Sequence, residues 1–165
     1  MKKIIVMLCA LLLAAGVCFA ADPCEGYWLS VDEETGKTTA AWNVYVENGI
    51  LYGKILHVPN QADSTLATSC KESYKGFPVA GKVNKMTVVG TPFIFGLKNQ
   101  GTGKWGKGNI IDPNNGSMYT CTMIYHAADG AKYKQDTLEM KGSIGPIGRS
   151  QYWLKTTQQE AENLK

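Results

Sequence analysis

The chain of 165 residues is 44% apolar and 19% charged, which supplies one core and excludes a disordered polyelectrolyte. Its 17 basic and 14 acidic side chains nearly cancel, and without Lys2 and Lys3 the balance is 15 to 14, so no phosphate-tracking basic stripe is present and nucleic acid is not an expected partner. A content of 18 Gly, 6 Pro, 8 Tyr and 4 Trp favours short strands and tight turns over long helices.

The amino end reads as an export signal. Met1-Lys2-Lys3 is basic, Ile4 to Phe19 is an almost unbroken apolar run, and Cys18-Phe19-Ala20 offers small residues for cleavage after Ala20. Residues 1–20 are therefore expected to be a signal peptide, 21–155 a single domain and 156–165 a polar tail that is at most a frayed helix, in a periplasmic or secreted protein. The run is short for the roughly 20 residues of a bilayer span, and no later stretch is apolar enough, so the mature chain is expected to have no transmembrane span. The alternative is a lipoprotein anchored through Cys18, because Leu13-Ala14-Ala15-Gly16-Val17-Cys18 has that shape, although Val17 is bulky for it. Cleavage after Ala20 leaves Cys24, Cys70 and Cys121 in an oxidising compartment, with at most one intramolecular pair. Cys24 and Cys70, in segments without strand character, are the expected disulfide, and Cys121 is a small hydrophobe within a strand.

Gly26 to Val31 is the first strand candidate, and Asp32-Glu33-Glu34-Thr35-Gly36-Lys37 turns the chain. In Ala40 to Val46, Trp42, Val44 and Val46 share one face and Asn43 and Tyr45 the other, the period of a half-buried strand. Glu47-Asn48-Gly49 leads into a strand over Ile50 to Val58, with Leu51, Gly53, Ile55 and His57 opposite Lys54. Pro59 to Gly81 breaks the rhythm with a polar stretch longer than an ordinary hairpin connection. Strands return over Val83 to Val89 and Phe93 to Leu97, Asn99 to Gly103 turns, and Lys104 to Ile111 runs into the turn Asp112-Pro113-Asn114-Asn115-Gly116. Ser117 to His126 puts Tyr119, Cys121, Met123 and Tyr125 on one face, Asp129-Gly130 turns, and Thr137 to Lys141 and Arg149 to Lys155 close the series. The class is all-β, with an antiparallel up-and-down β-barrel of about eight to nine strands as the expected architecture; its interior is either filled or holds a small pocket.

Chemical motifs are sparse. Gly101-Thr102-Gly103-Lys104-Trp105-Gly106-Lys107 approaches a phosphate loop, but Gly108 stands where the magnesium-binding hydroxyl belongs and a strand follows in place of a helix. No G-x-S-x-G occurs, and Gly142-Ser143-Ile144-Gly145 does not replace it. Neither C-x-x-C nor H-x-x-x-H spacing is present, so no metal and no cofactor are expected. His57 with Asp63 or Asp112 is the one arrangement with general-base character, and a hydrolase using His57 and Asp112 is the third-ranked reading. His126 reads as a solvent-facing turn neighbour. The aromatic ends Gly26-Tyr27-Trp28 and Gly148-Arg149-Ser150-Gln151-Tyr152-Trp153 meet if first and last strands pair, placing the Arg149 guanidinium over the Trp28 indole to close the barrel or, alternatively, to grip an anion.

Together, Gly26-Tyr27-Trp28, Leu51-Tyr52-Gly53-Lys54-Ile55, Trp105 through Pro113, Gly116-Ser117-Met118-Tyr119 and Gly148 through Trp153 resemble domain of unknown function family 2147, small exported bacterial proteins. That resemblance spans nearly the whole mature chain and implies no activity. It fails over Pro59 to Gly81, where Cys70-Lys71-Glu72-Ser73 replaces an Asp-Asn-Pro-like stretch. The G-x-W start and terminal Arg are also similar to lipocalin-type barrels, which implies a closed end and an end that admits an apolar ligand. The expected pocket is lined by Trp42, Val44, Ile55, Tyr119, Met123 and Tyr125, with His57 at a strand end and Trp105 and Tyr119 near the entrance. The leading reading is thus a non-enzymatic binder of a small apolar or amphipathic ligand; the alternative is an envelope module that meets a protein partner through the loop Pro59 to Gly81.

Overall fold

The computed structural model describes residues 20–164. The export-signal and Cys18-lipidation readings fall on residues 1–20, almost wholly outside the described residues. Eight antiparallel strands pair in sequence order and close into a barrel: β1 (Gly26–Val31), β2 (Thr38–Glu47), β3 (Ile50–His57), β4 (Ile94–Gly101), β5 (Lys104–Ile111), β6 (Met118–His126), β7 (Thr137–Ile144) and β8 (Ile147–Thr156). Strand β8 returns to β1 through Tyr27↔Thr156, Trp28↔Lys155 and Leu29↔Leu154. Period-two alternation sends Trp28 and Ser30, Trp42 and Val44, Leu51 and Ile55, Cys121 and Met123, and Leu138 and Met140 into the interior, where all ten are buried.

The would-be phosphate loop is the β4–β5 hairpin, with Thr102 and Gly103 in the turn and Lys104 onward in β5. At Lys107, φ is 60° and the β5–β6 register shifts between Trp105 and Gly108, so the chain bulges and Gly108 comes against β4. A Cβ on Gly108 would lie 2.6 Å from the Leu97 amide nitrogen, which is why glycine, with no side chain, stands at this position.

One end of the barrel is plugged by the segment ahead of β1. The Asp22 carboxylate accepts from the amides of Cys24 and Gly103, each at 3.0 Å, and Glu25 accepts from the amides of Asp22 and Val46. Trp28, fully buried above this plug, donates its indole N–H to the Cys24 carbonyl at 2.9 Å. Partial burial pushes the Asp22 pKa up, but the Gly103 and Cys24 amides outweigh it and hold the carboxyl below its usual range.

The connection from β3 to β4 does not contain a ninth strand. Val83–Lys85 forms one 3-10 turn, and only isolated bridges at Thr87 and Val89 follow, so the strand expected over Val83 to Val89 is corrected. Strand β4 pairs with β3 only as far as Gly53, and beyond it Val89 makes a single parallel bridge to Ile55, too short to count as a strand. The connection instead folds back on the barrel: Phe77 meets Phe95 edge-on at 5.4 Å, Ala67, Cys70 and Val83 are buried, and the Tyr74 hydroxyl donates to the Gly116 carbonyl at 2.8 Å. The polar tail is also more ordered than expected. Helix α1 (Gln158–Glu162) starts in a capping box between Thr157 and Glu160, and Ala161 is buried, with contacts from α1 to β1, β2 and β3.

Two measurements check these contacts. Gly116 has φ 72°, and a Cβ there would collide with the Ser69 carbonyl, whereas Gly130 has the same φ in open space. Urea unfolding should therefore show Gly116→Ala costing at least about 1 kcal/mol more than Gly130→Ala; equal losses would mean that the connection is not seated on the β5–β6 turn. Asp22→Asn should lower stability at neutral pH by about 1 kcal/mol, a modest value because the carboxylate is only half-buried. A carboxyl with a depressed folded pKa stabilises above its unfolded value near pH 4, so the gap between wild type and variant should close as acid protonates Asp22.

Candidate functional site

The interior changes character along the barrel axis. Toward the Asp22 plug, Trp28, Leu51, Leu97, Trp105, Met123 and Leu138 fill the cross-section and are 0 to 4% exposed. Toward the other end, inward positions carry smaller groups at Ser30, Ala40 and Gly142, and a cavity of about 480 Å³ remains. The same strand geometry with less side-chain volume leaves space that packing would otherwise close.

Two indoles form the cavity wall. Trp42 and Trp153 stack at 4.7 Å between centroids and 22° between planes. Their N–H groups are both satisfied, Trp42 donating to Ser30 Oγ at 3.2 Å and Trp153 to Gln151 Oε1 at 3.0 Å, so the rings are fixed by hydrogen bonds as well as by stacking. Ile55, Ile110 and Met140 add aliphatic surface, and Val58, Gln61 and Val88 extend the wall from the β3–β4 connection. At the mouth, Arg149 Nη2 lies 3.2 Å from Glu33 Oε2. Asp112 is also at the mouth, but its oxygens accept from Asn114 N and Asn115 Nδ2 within the β5–β6 turn, each at 2.9 Å.

Of the expected pocket residues, Trp42, Ile55 and Tyr119 line the cavity. Val44 and Met123 point inward but sit deeper, in the filled half, with exposures of 1% and 0%. Trp105 is not at an entrance: it pairs with Met123 across β5 and β6 and is 4% exposed. Tyr125 is also at the plugged end, edge-on to Trp28 at 6.4 Å. His57 is outside the cavity wall, its Nδ1 3.3 Å from Asp63 Oδ1. Asp112 is committed to its own turn, so of the two expected partners of His57 the structure brings up Asp63, and the His57–Asp112 pairing is corrected.

The Trp28–Arg149 contact is corrected as well. Register places Lys155 opposite Trp28, and its Nζ sits 4.3 Å above the indole while donating to the Glu25 carbonyl at 2.8 Å. Arg149 is six residues along β8, roughly 20 Å away at about 3.3 Å per residue, and faces Glu33. Burial lowers the Lys155 pKa, with the Asp136 charge opposing. His126 is also not simply solvent-facing. Its ring stacks on Tyr133 at 4.4 Å, and Nε2 lies 2.9 Å from Glu139, whose other oxygen accepts from Ser150 at 2.7 Å. Burial would raise the Glu139 pKa, but the Ser150 and His126 hydrogen bonds hold it low. The Ser150 hydroxyl is spent on the carboxylate and does not reach the imidazole, so the trio ties β6, β7 and β8 together without forming a nucleophile–base pair.

Sequence reasoning missed Trp153, Gln151, Met140 and Gly142 as wall residues. The signal was the period of two: Arg149, Gln151 and Trp153 share a strand face, and each passes the cavity. Among the described residues, no group of three or more His, Cys, Asp or Glu side chains is assembled as a metal site, and no helix is long and apolar enough to cross a membrane.

An eight-stranded up-and-down barrel, plugged at one end and hollow at the other, is lipocalin-like. The Helicobacter pylori protein HP1028, described as belonging to the lipocalin family, matches with a TM-score of 0.63 at 15% identity over 84% of this chain and 86% of that one, a likeness of fold. The chain belongs to the family of uncharacterized proteins conserved in bacteria, DUF2147, whose model matches residues 26–155. Among curated proteins, none matches it.

The expected Cys24–Cys70 disulfide is not formed; Cys24, Cys70 and Cys121 are all free and buried. The Cys24 carbonyl is bonded to Trp28 in the plug, whereas Cys70 lies beside Gly116 at the mouth end, which separates the pair along the barrel. Burial pushes all three thiols up, most strongly Cys24 and Cys121. Iodoacetamide at mildly alkaline pH should leave the native protein, residues 21–165, essentially unmodified. Unfolding without reductant should expose all three thiols to alkylation; an intact mass with only one modified would establish a disulfide.

Proposed function

We propose that the protein binds a small, largely apolar molecule in the mouth half of its barrel without transforming it. The observation that carries this reading is the 480 Å³ cavity walled by two stacked indoles whose N–H groups already have partners. Its size falls within the roughly 300–1,000 Å³ of small-molecule sites, and its wall is apolar with a few polar groups toward the rim. The two His–carboxylate pairs, His57–Asp63 and His126–Glu139, contribute nothing to that wall. We propose further that the protein acts outside the cytoplasm, a reading supported by the sequence of residues 1–20 alone.

The loop-mediated partner reading draws less support. Buried residues of the connection, Ala67, Cys70 and Val83, face the barrel and are not free to meet another protein.

The test is titration with N-phenyl-1-naphthylamine, a neutral apolar fluorophore, followed by probe emission and tryptophan quenching. Binding should be saturable. A Cβ at Gly142 would stand 3.5 Å from Tyr119 and 3.8 Å from Ile110, so Gly142→Phe projects a ring into the cavity. That variant should bind at least about tenfold more weakly, some 1.4 kcal/mol, with its melting temperature little changed. Unaltered affinity in Gly142→Phe would place the probe elsewhere and remove the proposal.

A further inference from the structure

We infer that the cavity takes an amphipathic anion whose oxyanion head, a carboxylate or its equivalent, is held by Arg149 at the mouth. The inference rests on the cavity being the ligand site and adds the chemistry of what it holds.

Strand β8 grades the wall. Its inward residues run from Trp153 through Gln151 to Arg149, so indole, amide and guanidinium follow one another toward the mouth at steps of about 6.6 Å. A molecule whose tail lies against the indoles therefore brings its head to the guanidinium. Arg149 is the cationic residue among those lining the cavity.

The polar groups along the wall leave donors for such a head. Three acceptors already carry a bond: Ser30 Oγ takes the Trp42 N–H, Gln151 Oε1 takes the Trp153 N–H, and each Asp112 oxygen takes one, from Asn114 and Asn115. Donors are left over. Gln151 Nε2 makes no hydrogen bond, Gln61 Nε2 is buried without a partner, and Arg149 makes only the bond to Glu33. Unspent donors ask for an acceptor-rich head, and a guanidinium recognises a carboxylate through two parallel N–H bonds.

Glu33 already shows the kind of group Arg149 accepts. It comes from the β1–β2 turn, meets the guanidinium through a single 3.2 Å contact, and the two side chains are 41% and 75% exposed. A solvent-screened, one-pronged pair contributes little, so a ligand carboxylate displaces Glu33 readily and gains the second prong. Glu33 is then the competitor that a bound anion must replace.

The experiment compares dodecanoate with dodecan-1-ol, equal in chain length and different in head, as competitors of N-phenyl-1-naphthylamine at neutral pH, where the acid is ionised. Dodecanoate should bind the wild type more tightly than the alcohol. Arg149→Gln should weaken dodecanoate by about tenfold and leave the alcohol within about twofold, and Arg149→Lys should recover part of the loss. Glu33→Gln should tighten dodecanoate alone, and added salt should weaken dodecanoate alone. Equal effects of Arg149→Gln on both amphiphiles, or none on either, overturn the inference while leaving the cavity reading intact. Displacement of the fluorophore by neither amphiphile also overturns it. Failure of the fluorophore itself to bind defeats the cavity reading, and the inference falls with it.

Discussion

Barrel closure is the constraint from which the rest of the structure follows. Once eight strands are joined edge to edge, the interior has a nearly fixed cross-section, and only the bulk of the inward side chains decides where it is solid and where it is hollow. Leu51, Leu97, Trp105 and Met123 make one half a conventional core, while Ser30, Ala40 and Gly142 leave the other half open. The filled half holds the strands in register; the open half is free to be specialised.

Both ends of the barrel are finished by segments outside it, and they are finished differently. The plug uses a carboxylate, backbone amides and a lysine over an indole, a polar cap on a packed core. The mouth uses the β3–β4 connection, which packs Phe77 along β4 and lends Val58, Gln61 and Val88 to the cavity wall. Removing the hydrogen bond between Tyr74 and Gly116 would therefore disturb the cavity indirectly, through the seat of that connection. The His126–Glu139–Ser150 trio crosslinks three strands and takes no part in the cavity wall.

The architecture was legible because period-two patterning is a local signal: β1 and β5 match their expected limits, and Trp42, Ile55 and Tyr119 fall on the expected face. What was not legible depends on register between distant strands. Trp28 pairs with Lys155, six positions from Arg149, and nothing in either segment taken alone states that offset. The same ignorance made Cys24 and Cys70 look like partners, although the fold holds one in the plug and the other beside Gly116. Val83 to Val89 carries strand-like residues, yet it makes only single bridges, Thr87 to Leu66 and Val89 to Ile55, so local propensity yields to topology there. Whether a barrel is hollow depends on volumes summed over all eight strands, and only the assembled interior shows that sum.

The most direct test of this account is a crystal structure under xenon pressure, because xenon occupies preformed apolar cavities and leaves packed cores empty. The account expects xenon between Trp42, Trp153, Ile110 and Met140, with none among Leu51, Leu97, Met123 and Leu138. A mouth half that excludes xenon because its side chains have collapsed inward would contradict the division of the barrel into a solid and a hollow half.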